Sequence, residues 1–92
     1  PLTPKVTVKS TKTKKATISW KNTSSRNSGY EVYMATSKNG DYSLVKTTTA
    51  KTYTKTGLTK GKTYYFKVRA YKTVDGTKVY GNYSTVKYVK VK

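Results

Sequence analysis

Three acidic side chains are all that the 92 residues offer for acid–base chemistry. They are Glu31, Asp41 and Asp75, and the chain contains no His and no Cys. A Ser–His or Cys–His nucleophile pair therefore cannot be assembled, nor can a zinc site built from His or Cys. Asp41 and Asp75 each adjoin a glycine, which is typical of turn residues. The sequence predicts a chain that is not an enzyme and that has no cofactor and no metal site.

Tyrosines that alternate with basic residues offer a second kind of chemistry. Tyr65, Lys67, Arg69 and Tyr71 recur at every second position, so they share one face of a strand. Tyr33 is expected on the same face, from a neighbouring strand. Such a face could stack sugars or bases and hold phosphates. The alternative interpretation is structural, because tyrosine favours strands and lysine stems pack along its ring.

Charge is the strongest bias in the composition. The chain has 20 Lys and Arg against 3 Asp and Glu, and all but two of the basic residues are lysine. Lysine supplies a point charge, whereas arginine supports bidentate recognition, so the net charge of +17 favours diffuse attraction to a polyanion. A solubilising surface that guards strand edges is the other interpretation. Glu31 is expected to form a surface ion pair with Lys67 or Arg69, worth ~0–1 kcal/mol.

Apolar residues alternate with polar ones along most of the chain, as in Ala16, Ile18 and Trp20, and this pattern predicts strands. Asn39-Gly40 and Asp75-Gly76 predict tight turns. Seven strands are expected, around residues 6–8, 16–20, 30–35, 42–47, 51–55, 64–71 and 86–91. A break in the alternation at Tyr88-Val89 predicts a bulge. No stretch approaches 18 consecutive apolar residues, so no membrane insertion is expected.

Seven antiparallel strands without a helix predict an all-β, Greek-key sandwich of the immunoglobulin-like type. The chain is long enough for one core only, so residues 1–92 are expected to form a single domain, with residues 1–4 a linker remnant. The chain is interpreted as a module of a longer protein. The predicted core consists of Ile18, Trp20, Tyr30, Val32, Leu58, Tyr64, Phe66 and Val68.

Four segments carry a family resemblance, namely 18–20, 29–33, 37–42 and 57–71. Through them the whole chain resembles a fibronectin type III domain, and it is most similar to those in secreted and surface proteins of Gram-positive bacteria. The resemblance implies that Tyr64 is a corner tyrosine whose hydroxyl bonds back to the backbone. Leu58 would be its packing partner and Trp20 the central core aromatic. Integrin binding is not implied, because the loop of residues 73–82 lacks Arg-Gly-Asp.

The resemblance also implies a function. Bacterial modules of this kind act as spacers or accessory domains, so we expect a non-catalytic, monomeric module of a larger extracellular or cell-surface protein, such as a cell-wall or glycan hydrolase or an adhesin. Its expected partners are the neighbouring domains and an anionic cell-wall polymer such as teichoic acid, with no specific nucleic acid. The alternative is a dedicated carbohydrate- or nucleic-acid-binding module that uses the face formed by Tyr33, Tyr65, Lys67, Arg69 and Tyr71.

Overall fold

The computed structural model describes residues 3–21 and 27–92 of the chain. Over those residues it contains eight strands: β1 (Lys5–Lys9), β2 (Ala16–Lys21), β3 (Gly29–Ala35), β4 (Ser43–Thr48), β5 (Thr52–Lys55), β6 (Thr63–Val74), β7 (Thr77–Tyr80) and β8 (Lys87–Lys90). No helix that could cross a membrane is present in the described ranges. Pro1 and Leu2, half of the predicted linker remnant, lie outside the described residues, and Pro4 is buried.

The strands form two antiparallel sheets. The smaller sheet has the order β1-β2-β5, and the larger has the order β4-β3-β6-β7, with β8 also paired to β6. Side chains alternate between the two faces of each strand, so each sheet turns one apolar face inward and one polar face outward. The prediction of an all-β, immunoglobulin-like sandwich is confirmed.

β8 lies within the final predicted strand, residues 86–91, whereas β7 is an additional strand that was not predicted. β7 pairs with the end of β6 and β8 with its beginning. Residues 81–86 lie between β7 and β8, and within this segment Ser84 forms hydrogen bonds to β6. Its N–H donates to the Val68 carbonyl at 2.7 Å, and its hydroxyl accepts from the Val68 N–H at 2.9 Å. Asp75 and Gly76 have φ values of 50° and 79°, which suit the two-residue turn that connects β6 to β7.

The bulge predicted at Tyr88-Val89 is wrong. The register between β6 and β8 is continuous, because Tyr88 faces outward while Val89 packs against the core. The irregularity lies between β3 and β4 instead, where Val32 pairs with Lys46 and Tyr33 with Leu44. Val45 is the extra residue, and it packs against the core.

The core lies between the two sheets. All eight residues predicted to form it are buried, and Val6, Ala16, Ala70 and Val91 join them. Trp20 on β2 packs edge-to-face against Tyr30 on β3, with ring centroids 5.7 Å apart. This contact joins the two sheets, and aromatic pairs of this geometry add stabilisation beyond the area that they bury.

The corner between β5 and β6 is held by Tyr64. Its hydroxyl accepts a hydrogen bond from the Thr59 N–H at 2.9 Å, and Leu58 is buried beside it. Hydrogen bonds from the side chain and the backbone of Thr59 lower the pKa of Tyr64. Gly57 and Gly61, at φ values of 70° and 81°, flank the corner in a conformation that favours glycine.

We expect Tyr64→Phe to lower the free energy of unfolding by ~1–3 kcal/mol, because it leaves the Thr59 N–H without its acceptor. Tyr65→Phe is the matched control. In the part of the chain that the structure describes, its hydroxyl makes no hydrogen bond, so the change should have almost no effect. Urea unfolding followed by fluorescence measures both, and equal effects at the two tyrosines would contradict the register of β6.

Candidate functional site

The predicted binding face lies on the outer surface of the larger sheet. Tyr33 stands on β3, and Tyr65, Lys67, Arg69 and Tyr71 occupy alternate positions of β6. Tyr33 pairs directly with Lys67 across the two strands. All five side chains are half-buried. The structure therefore brings the five predicted residues together on one surface.

Glu31 lies at the centre of this surface and is only 3% exposed. Its Oε1 accepts hydrogen bonds from Tyr33 Oη at 2.7 Å and Arg69 Nε at 3.1 Å. Its Oε2 accepts from Lys78 Nζ at 3.1 Å and Tyr80 Oη at 3.4 Å. Arg69 Nη2 also donates to the Tyr33 hydroxyl at 2.9 Å. The carboxylate is thus surrounded by donors, two of them charged.

The expected surface ion pair of Glu31 needs correction. Arg69 is a partner as predicted, but the second partner is Lys78 on β7 rather than Lys67. Lys67 Nζ instead lies 4.4 Å from the ring centroid of Tyr42 and 3.9 Å from that of Tyr83. Because the carboxylate is shielded from water, its hydrogen bonds to charged groups are worth more than an exposed pair.

The pKa values follow from this geometry. Burial raises the pKa of Glu31, but the hydrogen bonds from Tyr33, Lys78 and Arg69 outweigh it and hold the pKa below 4.5. Burial and the bond to Glu31 raise the pKa of Tyr33, and the bond to Glu31 raises that of Lys78. At neutral pH the carboxylate is therefore ionised and Tyr33 is a neutral donor. A carboxylate held in this state is poorly suited to general acid–base catalysis near neutrality.

Cations and aromatic rings alternate across the rest of the surface. The guanidinium carbon of Arg69 lies 3.6 Å from the ring centroid of Tyr80, 4.8 Å from that of Tyr83 and 5.3 Å from that of Tyr33. Lys78 Nζ lies 4.4 Å from the ring of Tyr71. Such contacts stabilise the fold through cation–π attraction. They also occupy ring faces on which a sugar or a base would stack.

Tyr65 is the one predicted residue outside this alternation. Its ring lies 5.6 Å from that of Tyr88, at an interplanar angle of 41°. Tyr88 is 69% exposed and lies on β8, next to β6. The two rings form an aromatic pair at one end of the sheet.

Four residues of the surface were missed by the sequence analysis: Tyr42, Lys78, Tyr80 and Tyr83. Two of them could have been found, because the Asp75-Gly76 turn fixes the hairpin register. Counting outward from it pairs Tyr80 with Tyr71 and Lys78 with Thr73. Tyr42 and Tyr83 carry no such signal, since Tyr42 precedes β4 and Tyr83 falls in the gap between β7 and β8.

Metal-ligating side chains do not converge anywhere in residues 3–21 and 27–92: no group of three or more His, Cys, Asp or Glu is found there. The charged neighbours of Glu31 are both cations, which would repel a metal ion.

Comparison with known proteins adds a family and a fold. Residues 1–86 match the family model of the fibronectin type III domain. An Fn3-like protein from Clostridium thermocellum is similar in structure, with a TM-score of 0.79 and 25% sequence identity, over 100% of this chain and 94% of that chain. No curated protein sequence matches the chain.

Two further solved structures are similar in fold. The fn3 domain of human contactin 1 has a TM-score of 0.79 and 16% identity, over 97% of this chain and 76% of that chain. A pectate lyase from Erwinia chrysanthemi, in complex with tetragalacturonic acid, has a TM-score of 0.68 and 18% identity. That match covers 94% of this chain but 27% of the lyase chain. The same fold thus occurs as a part of a larger enzyme.

Proposed function

Since the chain belongs to the fibronectin type III domain family, we propose that it is a non-catalytic accessory module of a larger extracellular bacterial protein, whose basic surface contacts anionic cell-wall polymers. Domains of this family are generally non-catalytic and are often accessory modules of larger proteins. The similarity to one part of a pectate lyase supports the accessory role. The chemistry of Glu31 supports the absence of catalysis, because that carboxylate is saturated with donors.

The proposed contact with anionic polymers rests on the many exposed lysines that form no ion pair among the described residues. Sixteen of the eighteen lysines are exposed. Among the described residues, the only ion pairs join Glu31 to Arg69 and Lys78. The radius of gyration is 13.1 Å, close to the Debye length of ~10 Å at 0.1 M salt, so the charges act together on a nearby polyanion. Release of counterions from that polymer then drives binding.

The rival function is stacking of sugars or bases on the tyrosine face. It is disfavoured because cations of the domain already lie against the tyrosine rings. Arg69 covers Tyr80, and Lys67 lies between Tyr42 and Tyr83. A ligand that stacks there would first have to displace the domain's own cations. This face is therefore assigned a structural role, in which tyrosine rings and cations shield Glu31.

The proposal predicts binding to purified cell walls that depends on both phosphate polymer and salt. We expect the domain to sediment with walls that carry teichoic acid at ~50 mM salt and to be released at several hundred millimolar. If about four phosphates are contacted, the affinity should fall roughly fiftyfold between ~50 and ~200 mM salt. Walls stripped of teichoic acid are the control and should retain little of the domain.

Three results would contradict this proposal. Absence of any binding at low salt would remove the wall contact and leave a plain spacer. Binding that survives high salt, and that is lost in a folded Tyr83→Ser variant, would instead favour the rival with a stacking site. Hydrolysis of glycans or peptides that is lost on Glu31→Gln would contradict the non-catalytic role.

A further inference from the structure

The outer face of the smaller sheet is the second broad surface of the domain, and its chemistry is different. Its outward side chains are lysines and small hydroxyl residues only, namely Lys5, Thr7, Lys9, Thr17, Ser19, Lys21, Thr52 and Thr54. The register places them in cross-strand rows, such as Thr7 beside Ser19 and Ser19 beside Thr52. No acid and no aromatic residue takes an outward position on β1, β2 or β5.

The hydroxyl groups of this face have protons that their mutual hydrogen bonds do not use. Thr17 Oγ1 lies 3.2 Å from Thr54 Oγ1, and Ser19 Oγ lies 3.2 Å from Thr52 Oγ1. Each hydroxyl has one proton, and each pair uses only one of its two protons in the mutual bond. The second proton of each pair can be donated to an acceptor outside the protein. The face therefore presents hydrogen-bond donors beside positive charges.

Three shallow depressions follow β2 across this face, with volumes of about 140, 380 and 150 Å³. The first is lined by Lys12 and Lys15, the second by Lys9, and the third by Lys5 and Lys21. Neighbouring depressions share lining residues: Thr17 joins the first two, and Thr7 and Ser19 join the last two. They thus form one open track, which suits an extended chain better than a compact ligand.

The lysines along this track are available for an external anion. Within the described residues, the cation–π contacts involve Lys46, Lys62, Lys67, Arg69 and Lys78, none of which lines the track. Both ion pairs belong to Glu31 on the opposite sheet. The lysines along the track therefore keep their charge for an external anion, whereas Arg69 and Lys78 on the larger sheet are held by Glu31.

We infer that the outer face of β1, β2 and β5 is the surface that holds an extended poly(alditol phosphate), with lysines neutralising its phosphates and Thr and Ser hydroxyls donating to the phosphate oxygens. This inference rests on the proposed function and specifies its contact surface. Outward residues on one strand recur every ~6.8 Å, so charges and donors repeat along the track as phosphates repeat along a polymer. The track has no outward aromatic side chain, and Trp20, which also lines the third depression, is only 4% exposed. A single-stranded nucleic acid, which proteins hold by base stacking, is therefore disfavoured.

The test compares two variants that each lose four positive charges. The face variant carries Lys5→Gln, Lys9→Gln, Lys15→Gln and Lys21→Gln. The control variant carries Lys38→Gln, Lys60→Gln, Lys72→Gln and Lys90→Gln, all exposed and all outside the track. With synthetic poly(glycerol phosphate) at ~50 mM salt, we expect the face variant to bind at least roughly tenfold more weakly and the control no more than about threefold. Thermal melts establish that both variants are folded.

The hydroxyls are tested separately from the charge. Thr7→Val, Thr17→Val and Ser19→Ala together remove three hydroxyls and leave every lysine in place. We expect about three- to tenfold weaker binding, because hydrogen bonds to phosphate are lost. The salt dependence should be unchanged, because the number of counterions released stays the same. Unchanged affinity would overturn the role of the hydroxyls.

The outcomes separate this inference from the proposed function. Equal losses in the face and control variants would overturn the assigned surface and leave charge-driven wall binding intact. Failure of the parent domain to bind the polymer at low salt would overturn both. Tighter binding of oligothymidylate than of poly(glycerol phosphate), at equal phosphate number, would overturn the assigned class of polymer and favour nucleic acid.

Discussion

Trp20→Ala is expected to leave the domain largely unfolded at 25 °C. Trp20 is 4% exposed and joins the two sheets through its contact with Tyr30. Truncation of a buried aromatic costs ~3–5 kcal/mol, and a small domain has only ~5–15 kcal/mol in total. The chain has no Cys and therefore no disulfide to compensate for the loss. Thermal and urea unfolding followed by circular dichroism measure the effect.

Tyr88→Ala is the matched control for this prediction. It also truncates a large aromatic side chain, but Tyr88 is 69% exposed. We expect the free energy of unfolding to change by no more than about 0.5 kcal/mol, as at most surface positions. A Trp20→Ala variant that melts at the temperature of the parent would show that the inter-sheet contact is not central to the core.

Glu31→Gln is expected to lower the free energy of unfolding by about 2 kcal/mol. The amide keeps the shape of the side chain, but it replaces a charged acceptor with a group that also donates, facing Arg69 and Lys78. Removing one member of a fully buried ion pair costs ~3–5 kcal/mol. The Arg69 and Lys78 side chains are 20% and 40% exposed, so both regain contact with water, which reduces the cost. Urea unfolding at neutral pH measures it.

The pH dependence gives a second measure of the same carboxylate. The pKa of Glu31 is lower in the folded state than its ordinary value, so its stabilisation is present above that ordinary value and is lost as the pH falls through the folded-state pKa. The parent should therefore lose stability in acid more steeply than Glu31→Gln. Urea unfolding of both proteins at a series of acid pH values measures the two slopes. Identical slopes below pH 4.5 for the parent and Glu31→Gln would contradict the donor-saturated site.

Most of the fold could be predicted from local patterns in the sequence. The alternation in Ala16, Ile18 and Trp20 placed β2 and its inward face correctly, because a strand with one buried face must alternate. The Asp75-Gly76 turn was found because positive φ at both residues suits few side chains. β7 was not predicted, because all four of its residues are exposed and a strand without a buried face gives no alternating pattern.

The candidate site was predictable only in part, for a similar reason. Alternation along β6 placed Lys67 and Arg69 on the outer face, as the structure has them. Burial of Glu31 was missed, because the side chains that cover it include Lys78 and Tyr80 from β7, a strand that was not predicted. A charged residue on an outward position predicts exposure unless its neighbours are known.

Mapping the contact surface by NMR tests the central claim most directly. In an ¹⁵N-labelled domain titrated with poly(glycerol phosphate) at ~50 mM salt, we expect amide shifts concentrated on β1, β2 and β5, with Thr7, Thr17 and Ser19 among the largest. Raising the salt to several hundred millimolar should reverse them. Shifts concentrated instead at Tyr33, Lys67 and Arg69, and persisting at high salt, would contradict the account by showing that the tyrosine face binds the ligand.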